Sequence, residues 1–385
     1  MTTAVATKER KAKRASGTSV TVSDLKRALH AVAPAVPTRS PNPVLLNVLL
    51  SGETLTGFDQ QMRISTRLEF YDGPDLLLPH ARLSAIVGSI DQGGTVELKA
   101  DGTTCVVKSG LGEWRLPMAD PKEFPAAGEV DSHPIVHLPG NTFVAMLKSV
   151  KFATAAEMAR YALNGVLIEF VKGRLSVIGT DGRRMCVAEA EVEVDTDSFV
   201  REPKQGTAQK RAPIVPRKVI EVLCGLADSD EPIQIDASDR MIVAQVGGTT
   251  VQASLIEGRF PNWRDVFPKR SVTPSLIVAG DLLTACRQAS VCTSEQSKGV
   301  TFAFGGELVT LTSRSAEAGE ADVECKVVEA GHACRVKIDP LFLNEWLAVL
   351  DKEETVEVEV ESEDSAMVLR SEDYRCVIMP LAAEG

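Results

Sequence analysis

The stretch VIGTDGRRMCV, from Val177 to Val187, places an Asp-Gly pair between two short apolar segments. Asp-Gly is a strong signal for a tight β-hairpin turn, because both residues tolerate a backbone conformation with positive φ. The apolar residues on each side are typical of paired strands. The stretch therefore predicts a hairpin with Asp181 and Gly182 in its turn, in preference to a catalytic carboxylate or a phosphate-binding loop.

Outward from this hairpin, one order of elements recurs three times along the chain. A short strand leads into an amphipathic helix near residues 20, 136 and 276, and a second strand–helix unit begins near residues 76, 213 and 336. Segments in which valine or isoleucine alternates with polar residues follow each second helix, as in half-buried strands. The pattern predicts three similar α+β domains in tandem, with two helices in each.

Local signals refine these elements. The apolar faces predicted for the first helix of each repeat are Leu25, Leu29 and Val32; Phe143, Leu147 and Val150; and Leu282, Cys286 and Ala289. Ser23 is predicted to cap the first helix, and Asp339 before Pro340 is predicted to cap the last. Asp101-Gly102 and Ser238-Asp239 are predicted turns.

The predicted division is a disordered basic tail at residues 1–18 and domains at residues 19–132, 133–270 and 271–385. Its seams fall in two proline-rich segments, Glu123 to Pro134 and Arg259 to Pro274. The polar stretch from Asp195 to Pro213 has no apolar period and is predicted to be a loop.

Composition narrows the class of protein. No apolar run reaches the roughly eighteen residues of a membrane span, and the N-terminus lacks the apolar core of a secretory signal. The eight cysteines form no Cys-x-x-Cys pair and the five histidines no zinc spacing. We therefore predict a cytoplasmic protein with reduced, mostly buried thiols, no metal, no cofactor and no membrane partner.

Familiar catalytic motifs do not occur. The chain has no phosphate-binding Gly-x-x-x-x-Gly-Lys loop and no Gly-x-Ser-x-Gly elbow, and GLGEWR at Gly110 lacks the third glycine of a dinucleotide fingerprint. No catalytic residue is predicted. A metal-dependent nuclease that uses Asp101 and Asp181 stays open as an alternative, because sequence does not show which carboxylates cluster in space.

Six stretches resemble the bacterial β sliding clamp, the processivity subunit of DNA polymerase III. They are RSPNPVLLNVLL (39–50), RYALNGVLIEF (160–170), LSVIGTDGRRMCVAE (175–189), IVPRKVIEVL (214–223), EGRFPNWRDVFP (257–268) and YRCVIMPL (374–381). The resemblance spans residues 19–381 in the family's order. It implies three clamp domains per chain and a head-to-tail homodimeric ring, with helices lining the hole and sheets outside.

The resemblance also implies partners. They are double-stranded DNA, encircled without sequence preference, the DNA polymerase catalytic subunit, the clamp loader, and other clamp-binding replication or repair proteins. The net charge of −11 fits a ring whose lining is basic and whose exterior is acidic. The predicted DNA-facing residues are Lys26, Arg27, Arg39, Arg82, Lys148, Lys151, Arg160, Arg217, Lys218 and Arg287. Any one of them alone also fits a solvated helix face.

In the family, the Thr-Asp-Gly loop, the Phe-Pro segment and the C-terminal strand wall a pocket for an apolar peptide motif. The matching pocket residues are Leu163, Thr180, Gly182, Arg183, Arg184, Met185, Pro261, Val266, Val377, Ile378, Met379, Pro380 and Leu381. Val377, Ile378 and Met379 also fit a core strand. Asp181 is then a turn residue, and the pocket lies between the second and third domains.

This chain departs from the family pattern around that pocket. Arg183 stands where histidine is frequent, Asp265 stands where a basic residue is common, and Ala-Ala-Glu-Gly follows Leu381. Partner-motif preference is therefore open. A second alternative is a scaffold of tandem domains that binds peptides but no DNA; it predicts peptide binding without an effect on primer extension.

Overall fold

The computed structural model describes residues 19–127, 136–155, 163–171, 173–192, 213–227, 230–238, 240–269, 272–294 and 298–381. Several predicted features lie outside these residues: the tail at 1–18, Arg160, Asp239, most of the loop at 195–213, and the C-terminal Ala-Ala-Glu-Gly.

The helices and strands follow the predicted threefold order. The first repeat comprises β1 (Ser19–Thr21), α1 (Val22–Val32), β2 (Asn47–Ser51), β3 (Thr54–Phe58), β4 (Met62–Arg67), β5 (Leu76–Pro79), α2 (His80–Gly88), β6 (Thr95–Asp101), β7 (Thr104–Ser109) and β8 (Gly112–Pro117). The second comprises β9 (Val136–Pro139), α3 (Gly140–Lys151), β10 (Gly165–Val171), β11 (Arg174–Thr180), β12 (Arg184–Glu191), β13 (Ile214–Pro216), α4 (Arg217–Leu226), β14 (Pro232–Ala237), β15 (Met241–Val246) and β16 (Thr249–Ser254). After a one-turn helix, α5 (Trp263–Val266), the third comprises β17 (Ser275–Val278), α6 (Ala279–Ser290), β18 (Val300–Gly305), β19 (Leu308–Ser315), β20 (Gly319–Lys326), β21 (Cys334–Ile338), α7 (Pro340–Leu347), β22 (Thr355–Glu359), β23 (Met367–Arg370) and β24 (Tyr374–Ile378).

The described residues fall into two compact units. The first combines those of Met1–Asp131 with Gly248–Ala253, and the second combines those of Ser132–Gly247 with Ser254–Gly385. In the second unit, β12 of the second repeat and β24 of the third pair antiparallel, from Arg184 opposite Ile378 to Ala188 opposite Tyr374. The predicted domain boundaries stay a prediction.

In the first unit, α1 buries the predicted face of Leu25, Leu29 and Val32. The strands form a sheet in the order β1-β6-β7-β8 and a run in the order β5-β2-β3-β4-β16. The predicted Ser23 cap is wrong: the helix begins two residues earlier than expected, at Val22, and the Thr21 hydroxyl accepts a hydrogen bond from the amide of Asp24 at 3.0 Å. The Thr21 hydroxyl also donates to the Asp24 carboxylate at 2.7 Å, which holds the capping hydroxyl in place.

In the second unit, eight strands form one sheet in the order β13-β10-β11-β12-β24-β23-β22-β17, and β20-β19-β18-β21 form another. Helices α3 and α6 bury their predicted apolar faces, which confirms the helical spacing noted in the sequence. At Gly179, a β-carbon would lie 2.3 Å from the carbonyl oxygen of Val150, so glycine lets α3 approach the sheet closely.

The predictions of a turn at Gly102, of a cap at Asp339 and of mostly buried cysteines are confirmed. Gly102 has a φ of 63° in the turn between β6 and β7. The Asp339 carboxylate accepts from the amide of Leu341 at 3.0 Å and caps α7. Six of the eight cysteines are buried, and Cys292 and Cys334 are half-buried. Among the described residues, no helix has both the length and the apolar character needed to cross a membrane.

Candidate functional site

The stretch Val177–Val187 forms the predicted hairpin between β11 and β12. Gly182 has a φ of 89°, and one Asp181 oxygen accepts from the amides of Arg183 and Arg184 at 2.9 and 3.0 Å. The Thr180 hydroxyl donates to the Arg184 carbonyl at 2.7 Å and accepts from the Gly182 amide at 3.2 Å. Side chains of the turn itself satisfy its backbone amides, so the role of Asp181 is to stabilise the turn.

One face of the sheet beside this hairpin is apolar across neighbouring strands. Directly opposed residues on β13, β10, β11 and β12 form the row Ile214, Leu167, Ile178 and Val187. Nearer the turn, Met185 lies opposite Thr180 on one side and Val377 on the other. Because side chains alternate between faces along a strand, these residues share one face, which we call the Met185 face.

The segment between β16 and β17, which contains α5 and which we call the linker, packs on the Met185 face. Trp263 is buried in the cluster of Met185 and its neighbours, and Phe260, Val266 and Phe267 are partly buried against it. The Trp263 indole donates to the Glu169 carboxylate at 3.2 Å, which fixes the ring over the sheet. The sequence prediction included Val266 but missed Trp263; a large aromatic side chain within a polar, proline-rich segment was the available signal.

Two guanidinium groups hold the linker from outside. The Arg264 guanidinium lies 4.2 Å above the centre of the Trp263 ring and its nitrogen is 2.7 Å from the Glu169 carboxylate. The Arg375 guanidinium lies 5.2 Å from the centre of the Phe267 ring and its nitrogen is 2.5 Å from the Glu189 carboxylate. These cation–π and ionic contacts fix one wall of the candidate pocket.

The C-terminal strand and the hairpin form the rim. The amide of Met379 donates to the carbonyl of Arg183 at 2.9 Å, and the Met379 side chain is 49% exposed. Gly182 is exposed beside the buried Leu163 side chain. The amide of Leu381 donates to the carbonyl of Lys337 at 2.8 Å, which holds the end of the strand on the third repeat. An exposed thioether beside an open turn is typical of a site that binds an apolar side chain.

Arg184 and Ile378 lie opposite each other and on the other face, which we call the helix face because α3 packs there. Arg184 is 6% exposed and donates to Asp181 at 3.1 Å, to Glu345 of α7 at 2.5 Å and to the Phe152 carbonyl at 2.7 Å. Burial alone lowers the pKa of this guanidinium, but the bond to Glu345 and the nearby carboxylates raise it above its ordinary value. Arg184 therefore joins the hairpin to the third repeat beneath the Met185 face.

The predicted DNA-facing residues lie mainly on helices. Those with exposed side chains are Lys26, Arg27, Arg39, Arg82, Lys148, Arg217, Lys218 and Arg287, and Lys151 is half-buried. Arg27 pairs with Asp24 at 2.6 Å and Arg217 with Glu221 at 3.3 Å. Exposed pairs of this kind are weak, so they leave the guanidinium groups able to exchange partners with phosphates.

The carboxylates named in the nuclease alternative are engaged in turns. Asp101 is exposed and lies 3.3 Å from the Arg115 guanidinium, while Asp181 binds the hairpin amides and Arg184. Within the described ranges, no group of three or more His, Cys, Asp or Glu side chains is arranged to hold a metal ion.

Family models match the chain in three consecutive pieces. They describe the DNA polymerase III beta subunit: its N-terminal domain at residues 18–128, its central domain at residues 137–262 and its C-terminal domain at residues 264–382.

Curated relatives match along the whole length. The beta sliding clamp of Chlamydia pneumoniae is 25% identical over 369 residues, covering 94% of this chain and 98% of the relative. That of Pseudomonas aeruginosa is 26% identical over 370 residues, covering 93% and 97%. Among solved structures, the sliding clamp from P. aeruginosa has a TM-score of 0.85 at 23% identity, and that from Bacillus subtilis has 0.86 at 19%. The P. aeruginosa match covers 94% of this chain and 99% of the other; the B. subtilis match covers 95% and 99%.

Proposed function

The chain belongs to the DNA polymerase III beta subunit family, the β sliding clamps, and we propose that partner proteins bind at the open rim of its Met185 face, beside Gly182 and Met379. As a β sliding clamp it confers processivity on DNA polymerase III and is not an enzyme. The observation that supports the pocket is the meeting of a buried apolar face, an open glycine turn and the half-exposed Met379 at one place.

The chemistry of this place fits a short apolar peptide. Met379 and Val266 offer apolar area at the surface, Met185 and Val377 lie buried beneath them, and the Gly182 turn leaves the backbone accessible at the rim. Each large apolar side chain that a partner buries there contributes about 1.5–3 kcal/mol. Arg183 is exposed at the rim and is available to orient a ligand, whereas Arg184 supports the floor from the helix face. The polymerase catalytic subunit, the clamp loader and clamp-binding repair or replication proteins are the proposed partners.

The proposed assembly is a homodimeric ring around duplex DNA. Strand β8 ends one four-stranded sheet and β20 ends another, and an edge strand presents backbone donors and acceptors to a second chain. Exposed lysines and arginines on the helices would face phosphates without reading bases. A ring needs only such weak contacts, since topology holds it on the duplex. The proposed binding to DNA and to the polymerase agrees with the predicted cytoplasmic location.

The pocket is tested with Met379→Ala and a peptide from the clamp-binding segment of the polymerase. Truncation removes an apolar side chain at the rim, so we expect about tenfold weaker binding by calorimetry. Melting temperature should not change, because Met379 is half exposed. Leu111→Ala is the matched control, since this side chain is fully exposed in the first unit. Equal peptide affinity for both variants would contradict the pocket.

A further inference from the structure

Two cysteines face each other across the strand pair that joins the second and third repeats. Cys186 of β12 lies directly opposite Cys376 of β24, and their Sγ atoms are 3.1 Å apart. Both residues have no exposed surface. They lie on the helix face, one residue along from Met185 and Val377 of the Met185 face.

The register of the strands identifies the kind of pair. The amide of Met379 donates to the carbonyl of Arg183, and the amide of Glu189 donates to the carbonyl of Asp373. These bonds mark hydrogen-bonded positions, which recur at every second residue of an antiparallel pair. Counting inward from either bond places Cys186 and Cys376 at a non-hydrogen-bonded position.

That position suits a disulfide. The Cα atoms of a non-hydrogen-bonded pair lie about 4.5 Å apart, within the roughly 4.4–6.8 Å that a disulfide spans. The two side chains project to the same face, and their sulfur atoms are already in contact. A bond between them therefore requires a change of side-chain torsion but no shift of either strand.

We propose that Cys186 and Cys376 are a thiol modification site, at which a peroxide forms a disulfide that ties the second repeat to the third. One thiolate attacks a peroxide oxygen, which gives a sulfenic acid and releases water after protonation. The second thiol attacks the sulfenic sulfur and expels another water molecule. In total, two thiols and one hydrogen peroxide give one disulfide and two waters, with two electrons passing to the peroxide.

The surroundings set the rate of this reaction. Burial raises the pKa of the Cys376 thiol well above its ordinary value, so little thiolate is present and oxidation is slow. The same burial shields the finished bond from bulky reductants. The bond fixes β12 against β24 from the helix face and leaves Met185 and Val377 in place on the other. The inference concerns the chain's own thiols and does not rest on peptide binding.

The test uses the full chain, reduced and then exposed to graded hydrogen peroxide. Remaining thiols are alkylated after unfolding, and the protein is digested without reductant for mass spectrometry. We expect a linked pair of peptides that contains Cys186 and Cys376, and a melting temperature raised by at least about 5 °C because the bond closes a long loop. Cys292→Ser with Cys334→Ser is the matched control, since it removes the two half-buried thiols and should leave the link intact.

Two results would overturn the proposal. One is complete alkylation of Cys186 and Cys376 after peroxide has already oxidised Cys292 or Cys334. The other is a link from either cysteine to a different thiol. Because both results are read from the unmutated chain, the test does not depend on whether a Cys186→Ser variant folds. Peptide affinity of the reduced protein is measured in parallel and reports on the proposed pocket separately.

Discussion

Removal of the Arg184 side chain is the most informative single change to the second unit. Its guanidinium is buried and joins Asp181 of the hairpin, the Phe152 carbonyl after α3 and Glu345 of α7. It also lies 4.4 Å from the centre of the Phe342 ring. In Arg184→Ala, two carboxylates and a carbonyl lose their partner around a side-chain position that water reaches poorly.

The expected magnitude follows from those contacts. Breaking a buried ion pair from one side costs about 3–5 kcal/mol of unfolding free energy. The Glu345 side chain is 35% exposed and regains water when the pair is broken, so its contact must be discounted. The side chain of Asp181 is 19% exposed and loses more. We expect Arg184→Ala to lower the unfolding free energy by about 3 kcal/mol.

The assay is urea unfolding followed by circular dichroism, with Arg183→Ala as the matched control. The neighbouring arginine is exposed, so its truncation should change the unfolding free energy by less than about 0.5 kcal/mol. Arg184→Lys keeps the charge but cannot reach all three acceptors, and it should fall between the two. If Arg184→Ala and Arg183→Ala were equally stable, the proposed link between the hairpin and α7 would be refuted.

Three further changes test other parts of the account. Gly182→Val should lower the unfolding free energy by about 2 kcal/mol or more, since a β-branched residue fits a φ of 89° poorly. Asp181→Asn should lower it by about 1 kcal/mol and abolish no reaction. Thermal unfolding of the two variants measures both effects. Burial raises the pKa of Cys286 from 9.0 to about 12, so the folded thiol keeps its proton above pH 9 while the unfolded thiol ionises. The contribution of the protonated Cys286 thiol to the unfolding free energy is therefore fully present below pH 9 and is lost as pH rises towards 12. Cys286→Ala should reduce the alkaline slope of the unfolding free energy against pH by about 1.4 kcal/mol per pH unit. Arg217→Glu with Lys218→Glu should slow loading of the clamp onto circular DNA about tenfold, by replacing attraction to phosphates with repulsion, and unchanged loading would contradict a DNA-facing role for α4.

Local features of this molecule could be predicted from sequence because neighbouring residues determine them. The turn at Asp181 and Gly182, the buried face of Leu25 and Leu29, and the cap at Asp339 each depend on residues within one or two turns of chain. Even here the predicted cap of α1 was wrong, since Thr21 and Ser23 both carry a hydroxyl group that can cap a helix. The helix takes Thr21 because Val22 is buried in its first turn and Asp24 reaches back to the threonine.

Features that depend on distant partners could not be predicted in this way. Arg183 and Arg184 are adjacent in sequence, yet one is exposed and the other is buried, because strand alternation turns the second towards Glu345 of α7. The match of Cys186 with Cys376 depends on the register of two strands far apart in the chain. Trp263 is buried because it packs against strands that lie many residues before it in the chain.

The most direct test of the central claim is retention on DNA of defined topology. Labelled protein is loaded by its clamp loader onto nicked circular DNA, and the circle is then cut once by a restriction enzyme. A clamp that encircles duplex DNA remains on the circle for many minutes and leaves through the free ends soon after cutting, with both behaviours independent of sequence. Equal retention on the intact circle and on the cut DNA would contradict encirclement, since only a direct chemical contact would then explain the binding.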